Sequence, residues 1–114
     1  HRINQRASEL SVETECFQAN GEGAIIDFLQ QSALGASGII INPGAYGHYS
    51  YAIHDALLDT RLPIIEVHLS NIHAREQFRR HSVVADIAVG QIAGLGWRGY
   101  MLALEFLATH LNAD

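Results

Sequence analysis

Apolar and polar positions along the chain follow two alternating patterns. Short runs rich in β-branched residues are typical of strands, and wholly apolar runs are typical of strands buried on both faces of a parallel sheet. The predicted strands span 12–18, 38–41, 64–69 and 87–93. Between them, apolar residues recur with the 3.6-residue period of helices. The predicted helices span 22–32, 49–58, 71–80 and the stretch after Gly96.

This alternation predicts an α/β fold: a doubly wound parallel sheet with helices on both faces, in three α/β/α layers. No linker or repeat divides the chain, so residues 1–114 are predicted to form a single domain. In open sheets of this kind, ligands bind beyond the carboxyl ends of the strands. The stretches after Ile41, around Val67 and after Ala93 are therefore the first places to look for a site.

Composition narrows the function classes. Twelve acidic and seven basic residues give a net charge of −5, which argues against nucleic acid as the main partner. Every basic residue is an Arg, so Schiff-base chemistry and a P-loop lysine are excluded within this sequence. The one cysteine, Cys16, excludes an internal disulfide and fits a reducing, cytoplasmic location. No apolar run approaches the roughly 18 residues of a membrane span.

The segment 42–48 (NPGAYGH) follows the second predicted strand. Asn42 offers an amide that both donates and accepts hydrogen bonds, and His48 can bind a hydroxyl or move a proton. The glycines let the backbone approach a ligand closely. The alternative is an ordinary turn in which Asn42 satisfies loop amides.

Glu66 and His68 end the third predicted strand and share one face of it, because side chains two apart point the same way. A carboxylate beside an imidazole fixes its orientation and favours its protonated form, which suits a general acid. Ser70 and Asn71 follow as a predicted helix cap whose N–H groups can hold a carboxylate. The alternative is a buried pair that only braces the sheet.

Three further sequence patterns give weaker evidence of function. The segment 94–99 (GLGWRG) matches GxGxxG, but the dinucleotide fingerprint needs an acidic residue on a strand about 20 positions later, where this sequence is predicted to be helical. Tight packing between strand and helix explains the glycines better than a dinucleotide-binding half-domain. The histidines form no compact metal-binding spacing, so no metal is expected. The arginines at 75, 79 and 80 are either a solvated helix face or a lid over a hydroxylated acid.

Together these stretches resemble the type II 3-dehydroquinate dehydratase family. The family motifs QSN-x-EG, NPGAYTHTS and EVHLSN-x-HAREEFR are matched by QANGEG, NPGAYGHYS and EVHLSNIHARE, and the resemblance extends to the closing strand and helix. The matching segments are 18–23, 41–50, 66–76, 90–96 and 100–104. Gly47 and Tyr49 depart from the family, which usually has hydroxyl residues around the histidine.

The resemblance implies a flavodoxin-like fold and assembly as a dodecamer, a tetramer of trimers. It implies removal of water from 3-dehydroquinate to give 3-dehydroshikimate, by anti elimination through an enolate and without a cofactor. The reaction would belong to the shikimate (chorismate) pathway or to quinate breakdown. The other candidate is a catalytically dead homologue or fragment that acts as an oligomeric assembly or binding module.

Site residues carry over by motif. His68 would donate a proton to the departing hydroxyl, and Glu66 would orient it. Asn42 would hold the substrate's carboxylate and neighbouring hydroxyl together with the backbone amides of Leu69 and Ser70.

Three more residues are implied in the same way. His48 and Arg79 would bind the other ring hydroxyls, and Asp55 would reach into a neighbouring subunit's site. The family's first strand and its lid, which carries an Arg and the Tyr that acts as base, are not matched by this sequence. We expect both to precede His1 in the natural chain, and residues 1–114 alone to fold poorly and to be inactive.

Overall fold

A three-stranded parallel sheet organises the computed structural model, which describes residues 2–74 and 81–112. Within these ranges the elements, in chain order, are α1 (Arg2–Glu9), α2 (Glu22–Ser32), β1 (Ile39–Ile41), α3 (Tyr51–Thr60), β2 (Ile64–His68), β3 (Gly90–Ala93) and α4 (Arg98–Asn112). Short 3-10 turns span Ala33–Gly35, Gly44–His48 and Ile72–Ala74. No helix in the described ranges is long and apolar enough to cross a membrane.

Strand β2 lies between β1 and β3, and both pairings are parallel. Ile41 is opposite Glu66, and His68 is opposite Ala93, so the strands end together at one edge of the sheet. All five residues of β2 are buried, as expected for a central strand covered on both faces. The predicted parallel α/β sheet is confirmed.

Two apolar clusters lie on opposite faces of the sheet. The first packs beneath α2 and α3, and its buried members are Leu29, Ile53, Ala56, Leu57, Ile64, Val83 and Val84. The second packs beneath α4, and its buried members are Ile65, Val67, Ala103 and Leu107. Because side chains alternate along a strand, Glu66 and His68 share the face of Ile64. The Glu66 and His68 side chains therefore point towards the α3 side of the sheet.

Helix α3 has a definite start. The Ser50 side chain caps it by accepting a hydrogen bond from the Ile53 amide at 3.1 Å. The Ser50 hydroxyl in turn donates to a carboxylate oxygen of Glu22, at the start of α2. This contact fixes α3 against α2 and so places the 3-10 turn that leads into it.

The strand predicted at 12–18 is wrong. Residues 12–19 are irregular, and no strand in the described part of the chain pairs with them. Alternating polarity defines two faces of an extended segment but supplies no hydrogen-bonding neighbour. Phe17 instead stacks on Phe28 of α2, with ring centroids 4.2 Å apart.

Other predicted boundaries also shift. The helix predicted at 49–58 is α3, Tyr51–Thr60. The predicted strand 87–93 begins only at Gly90, because Ile87 and Ala88 donate backbone hydrogen bonds to the Val84 carbonyl and form a turn. Of the helical stretch predicted at 71–80, the described part is the 3-10 turn Ile72–Ala74. Residues 75–80 lie outside the described ranges.

Candidate active site

A pocket of about 230 Å³ opens at the carboxyl edge of the sheet. Its lining residues are Asn42, Gly44, Ala45, His48, His68, Leu69, Ser70 and Ile72. Five of them are predicted site residues: Asn42, His48, His68, Leu69 and Ser70. They come from the ends of β1 and β2 and from the segments that follow, as the edge rule for parallel sheets predicts.

Glu66 and His68 form a buried hydrogen-bonded pair. Their exposed fractions are 0% and 4%, and Glu66 Oε2 lies 2.5 Å from His68 Nε2. Their main chains are fixed in the sheet, opposite Gln91 and Ala93. Because Glu66 engages Nε2, the other ring nitrogen, Nδ1, is the one left to meet a bound molecule. The predicted geometry of an oriented imidazole is present.

Ser82 also binds Glu66, a contact that the sequence does not predict. Its hydroxyl donates to Glu66 Oε2 at 2.6 Å across a separation of 16 residues. No motif in the sequence signals such a contact, because it depends on how the segment after residue 80 returns to the sheet.

His48 stands beside His68 on the pocket wall. The two rings are nearly parallel, with an interplanar angle of 14° and centroids 6.3 Å apart. His48 Nδ1 donates to the backbone carbonyl of His81 at 2.8 Å. This contact fixes the orientation of the His48 ring on the pocket wall.

Asn42 is held at both ends of its amide. Oδ1 accepts from the backbone N–H of Gly44 at 3.1 Å, so the interpretation as a turn-stabilising residue is correct in part. Nδ2 donates to the hydroxyl of Tyr100 at 3.0 Å. Tyr100 packs against the second apolar cluster, and no sequence pattern signals that its hydroxyl also contacts Asn42.

Gly47 explains one departure from the family pattern. A Cβ at this position would lie 2.6 Å from Cγ of Pro43, which is closer than real Cβ atoms approach. The turn between Pro43 and His48 therefore has no room for a side chain at residue 47 in this protein.

The predicted site residue Asp55 does not line the pocket. Asp55 lies on the exposed side of α3, with its side chain 74% exposed, and its Oδ1 contacts His54 Nδ1 at 3.0 Å. That hydrogen bond raises the pKa of His54, aided by Asp86, whose Oδ2 lies 3.6 Å from Nε2, and opposed by partial burial of the ring. Arg79 lies outside the described residues.

The glycines of the GxGxxG segment serve packing. A Cβ at Gly99 would lie 3.0 Å from Cγ1 of Val67, so α4 approaches β2 closely only because residue 99 has no side chain. Gly94 and Gly96 have positive φ angles of 86° and 59°, which glycine adopts without strain. The packing interpretation is confirmed. Within residues 2–74 and 81–112, no group of three or more His, Cys, Asp and Glu side chains could hold a metal ion.

These features define a class of protein. It is a flavodoxin-like α/β protein whose pocket, at the carboxyl edge of a parallel sheet, presents a carboxylate-oriented imidazole beside hydrogen-bonding amides. The family model of class II dehydroquinase matches residues 1–108. The chain belongs to this family.

Relatives of known sequence agree. A protein named 3-dehydroquinate dehydratase from Halothermothrix orenii is 57% identical over 103 residues, which are 90% of this chain and 70% of the relative. A protein of the same name from Bacillus cereus is 55% identical over 110 residues, which are 96% of this chain and 75% of the relative.

Solved structures show the same fold. The type II dehydroquinase from Propionibacterium acnes superposes with a TM-score of 0.90 at 46% identity, covering 95% of this chain and 74% of that one. A 3-dehydroquinate dehydratase-like protein from Bifidobacterium longum gives a TM-score of 0.76 at 32% identity, covering 98% of this chain and 88% of that one.

Proposed function

We propose that this protein dehydrates 3-dehydroquinate to 3-dehydroshikimate, with His68 as the general acid. The observation that carries this proposal is the buried Glu66–His68 pair, with Oε2 and Nε2 2.5 Å apart, in which His68 lines the carboxyl-edge pocket and Glu66 lies behind it. Membership of the class II dehydroquinase family supports the substrate and the reaction.

In the elimination, a base first removes the proton α to the ketone to give an enolate, and the C–O bond to the leaving hydroxyl then breaks. The family resemblance implies that this base is the Tyr of the lid, which residues 1–114 do not match. His68 gives its proton to that hydroxyl, so that it departs as water rather than as hydroxide. Glu66 keeps the ring in one orientation for the transfer through its hydrogen bond to Nε2. The reaction consists of two proton transfers and one C–O bond cleavage with no change of oxidation state, so it needs no redox cofactor.

The rest of the pocket binds the substrate. Asn42 and the backbone N–H groups of Leu69 and Ser70 hold its carboxylate and the neighbouring hydroxyl, and all three residues line the pocket. His48 binds a ring hydroxyl, as the family motif implies, from a ring that the His81 carbonyl orients. Arg79 binds a further hydroxyl, as the family motif implies.

The test is turnover of 3-dehydroquinate by the natural protein, followed through the ultraviolet absorbance of the enone product. We expect His68→Ala to lower kcat about 10²–10⁴-fold, the usual contribution of general acid–base catalysis. His110→Ala is the matched control, because His110 is an exposed histidine in the last turn of α4. A full-rate His68→Ala enzyme would refute the assignment, and a folded natural protein without turnover would favour a binding module instead.

We also propose that the protein assembles as a dodecamer in the cytoplasm, with Asp55 reaching the active site of a neighbouring subunit. Asp55 is exposed on α3 and available for such a contact, and the exposed free thiol of Cys16 fits a reducing compartment. Asp55→Ala should raise KM or change the mass measured by light scattering. Unchanged KM and unchanged mass would count against this role.

A further inference from the structure

The hydrogen bonds of the Ser82 hydroxyl leave one direction for its O–H group to donate. Its Oγ accepts hydrogen bonds from the backbone N–H groups of Val84 at 3.1 Å and Ala85 at 3.2 Å. A hydroxyl has two acceptor sites and one proton, so these two contacts occupy both acceptor sites. The proton is then directed to Glu66 Oε2, 2.6 Å away.

The main chain on either side of Ser82 is attached to the turn Gly44–His48. The carbonyl of His81 accepts from His48 Nδ1 at 2.8 Å, and the N–H of Val83 donates to the Gly47 carbonyl at 2.7 Å. Val83 is itself buried in the first apolar cluster. The position of Ser82 is therefore set by the protein alone, before any substrate binds.

One oxygen of Glu66 takes part in two hydrogen bonds. Oε2 accepts from Ser82 and contacts His68 Nε2 at 2.5 Å. The other oxygen, Oε1, is buried and has no hydrogen-bond partner among residues 2–74 and 81–112. Two donors at this distance suit an ionised carboxylate oxygen, which is an acceptor only.

We propose that Ser82 is a positioning residue for the general acid. Its hydroxyl holds the Glu66 carboxylate in the rotamer that presents Oε2 to His68, and it supplies one of the few contacts that compensate the buried negative charge. Ser82 does not line the pocket, so it acts on the reaction through Glu66 and not on substrate binding. The kinetic consequence rests on the proposed function; the hydrogen-bond arrangement does not.

The first test is kinetic. Ser82→Ala should lower kcat about tenfold, the scale of losing one hydrogen bond to a charged group, while KM stays the same. Ser82→Thr keeps the hydroxyl and should restore most of the rate. Ser32→Ala is the matched control, because Ser32 donates to Glu15 at 2.8 Å in an exposed pair far from the pocket in sequence. Equal losses in Ser82→Ala and Ser82→Thr, or none in Ser82→Ala, would overturn the proposal.

The second test does not need turnover. The proton between His68 Nε2 and Glu66 gives a downfield NMR resonance, and Ser82→Ala should shift or broaden it while Ser32→Ala leaves it unchanged. If Ser82→Ala does not fold, as judged by its circular dichroism melt, Ser82→Cys supplies the same test with a weak donor of similar size. An unchanged resonance in a folded Ser82 variant without the hydroxyl would refute the positioning role, whereas an inactive natural protein with a shifted resonance would refute only the proposed reaction.

Discussion

Replacing Glu66 by Gln removes the charge behind the general acid while keeping its shape. Ser82 and His68 both present protons to Oε2 of Glu66. The amide oxygen of the introduced side chain would take the place of Oε2, because the alternative places an NH₂ group against two donors. The amide nitrogen then occupies the Oε1 position, which has no partner in the described part of the chain. The geometry of the pair is therefore retained and only its charge is lost.

The size of the effect follows from the strength of the contact. Hydrogen bonds to charged groups contribute about 1.5–3 kcal/mol and neutral ones about 0.5–1.5 kcal/mol. The difference of about 1–1.5 kcal/mol corresponds to about a tenfold change in rate. Removing the proton donor itself, as in His68→Ala, costs about 10²–10⁴-fold. Glu66→Gln should therefore lower kcat much less than His68→Ala does.

A double-mutant cycle on kcat tests whether Glu66 acts on the reaction through His68. The rate is measured from enone absorbance at a pH where the natural protein is most active. If Glu66 acts only through His68, Glu66→Gln has no further effect in a His68→Ala background, and the two losses are strongly non-additive. Additive losses would show that Glu66 contributes independently of the imidazole. That result would refute the interpretation of Glu66 as the residue that orients the acid.

Three further changes have distinct expected outcomes. Tyr100→Phe deletes the hydroxyl that accepts a hydrogen bond from the Asn42 amide. KM should rise about fivefold, the scale of one hydrogen bond. An unchanged KM would show that the Asn42 amide is held in place without this hydroxyl. Gly99→Val forces a side chain against Val67 and should lower the free energy of unfolding in urea by about 1–3 kcal/mol; an unaltered midpoint would contradict the close approach of α4. The raised pKa of His54 stabilises the folded state fully below about pH 6.5 and progressively less as the pH rises through the raised value. His54→Gln should therefore make the free energy of unfolding less dependent on pH in this range. An identical pH dependence in the variant and the natural protein would contradict this expectation.

The sheet and its helices were largely predictable because their sequence patterns are local. The limits of α2 agree with the predicted helix 22–32, and the apolar runs at β1 and β2 are strands as predicted. The failure at 12–18 has a physical reason: the pattern describes which faces are apolar, whereas a strand exists only when a neighbour completes its hydrogen bonds. The late start of β3 has a similar origin, since a turn around Val84 competes for residues that also favour strands.

The site was predictable where its residues lie on strand ends, and not where loops return to them. Asn42, Glu66 and His68 could be located because the carboxyl edge of a parallel sheet collects them. Ser82 and Tyr100 could not, since each acts across a long separation in sequence and each belongs to a stretch with another evident role. Tyr100 can pack against the second apolar cluster whether or not its hydroxyl binds Asn42.

One short segment connects the two histidines of the pocket. The backbone carbonyl of His81 accepts a hydrogen bond from His48 Nδ1. The next residue, Ser82, donates a hydrogen bond to the Glu66 carboxylate, which in turn holds His68. The ring of His48, the proposed hydroxyl-binding residue, and the ring of His68, the proposed acid, therefore take their orientations from two adjacent residues. A displacement of this backbone would disturb binding and proton transfer together, whereas loss of the Ser82 hydroxyl alone leaves the His81 carbonyl in place. The separation of KM from kcat in Ser82 variants follows from that division, because the contact that orients His48 is made by main chain and the contact that orients Glu66 is made by a side chain.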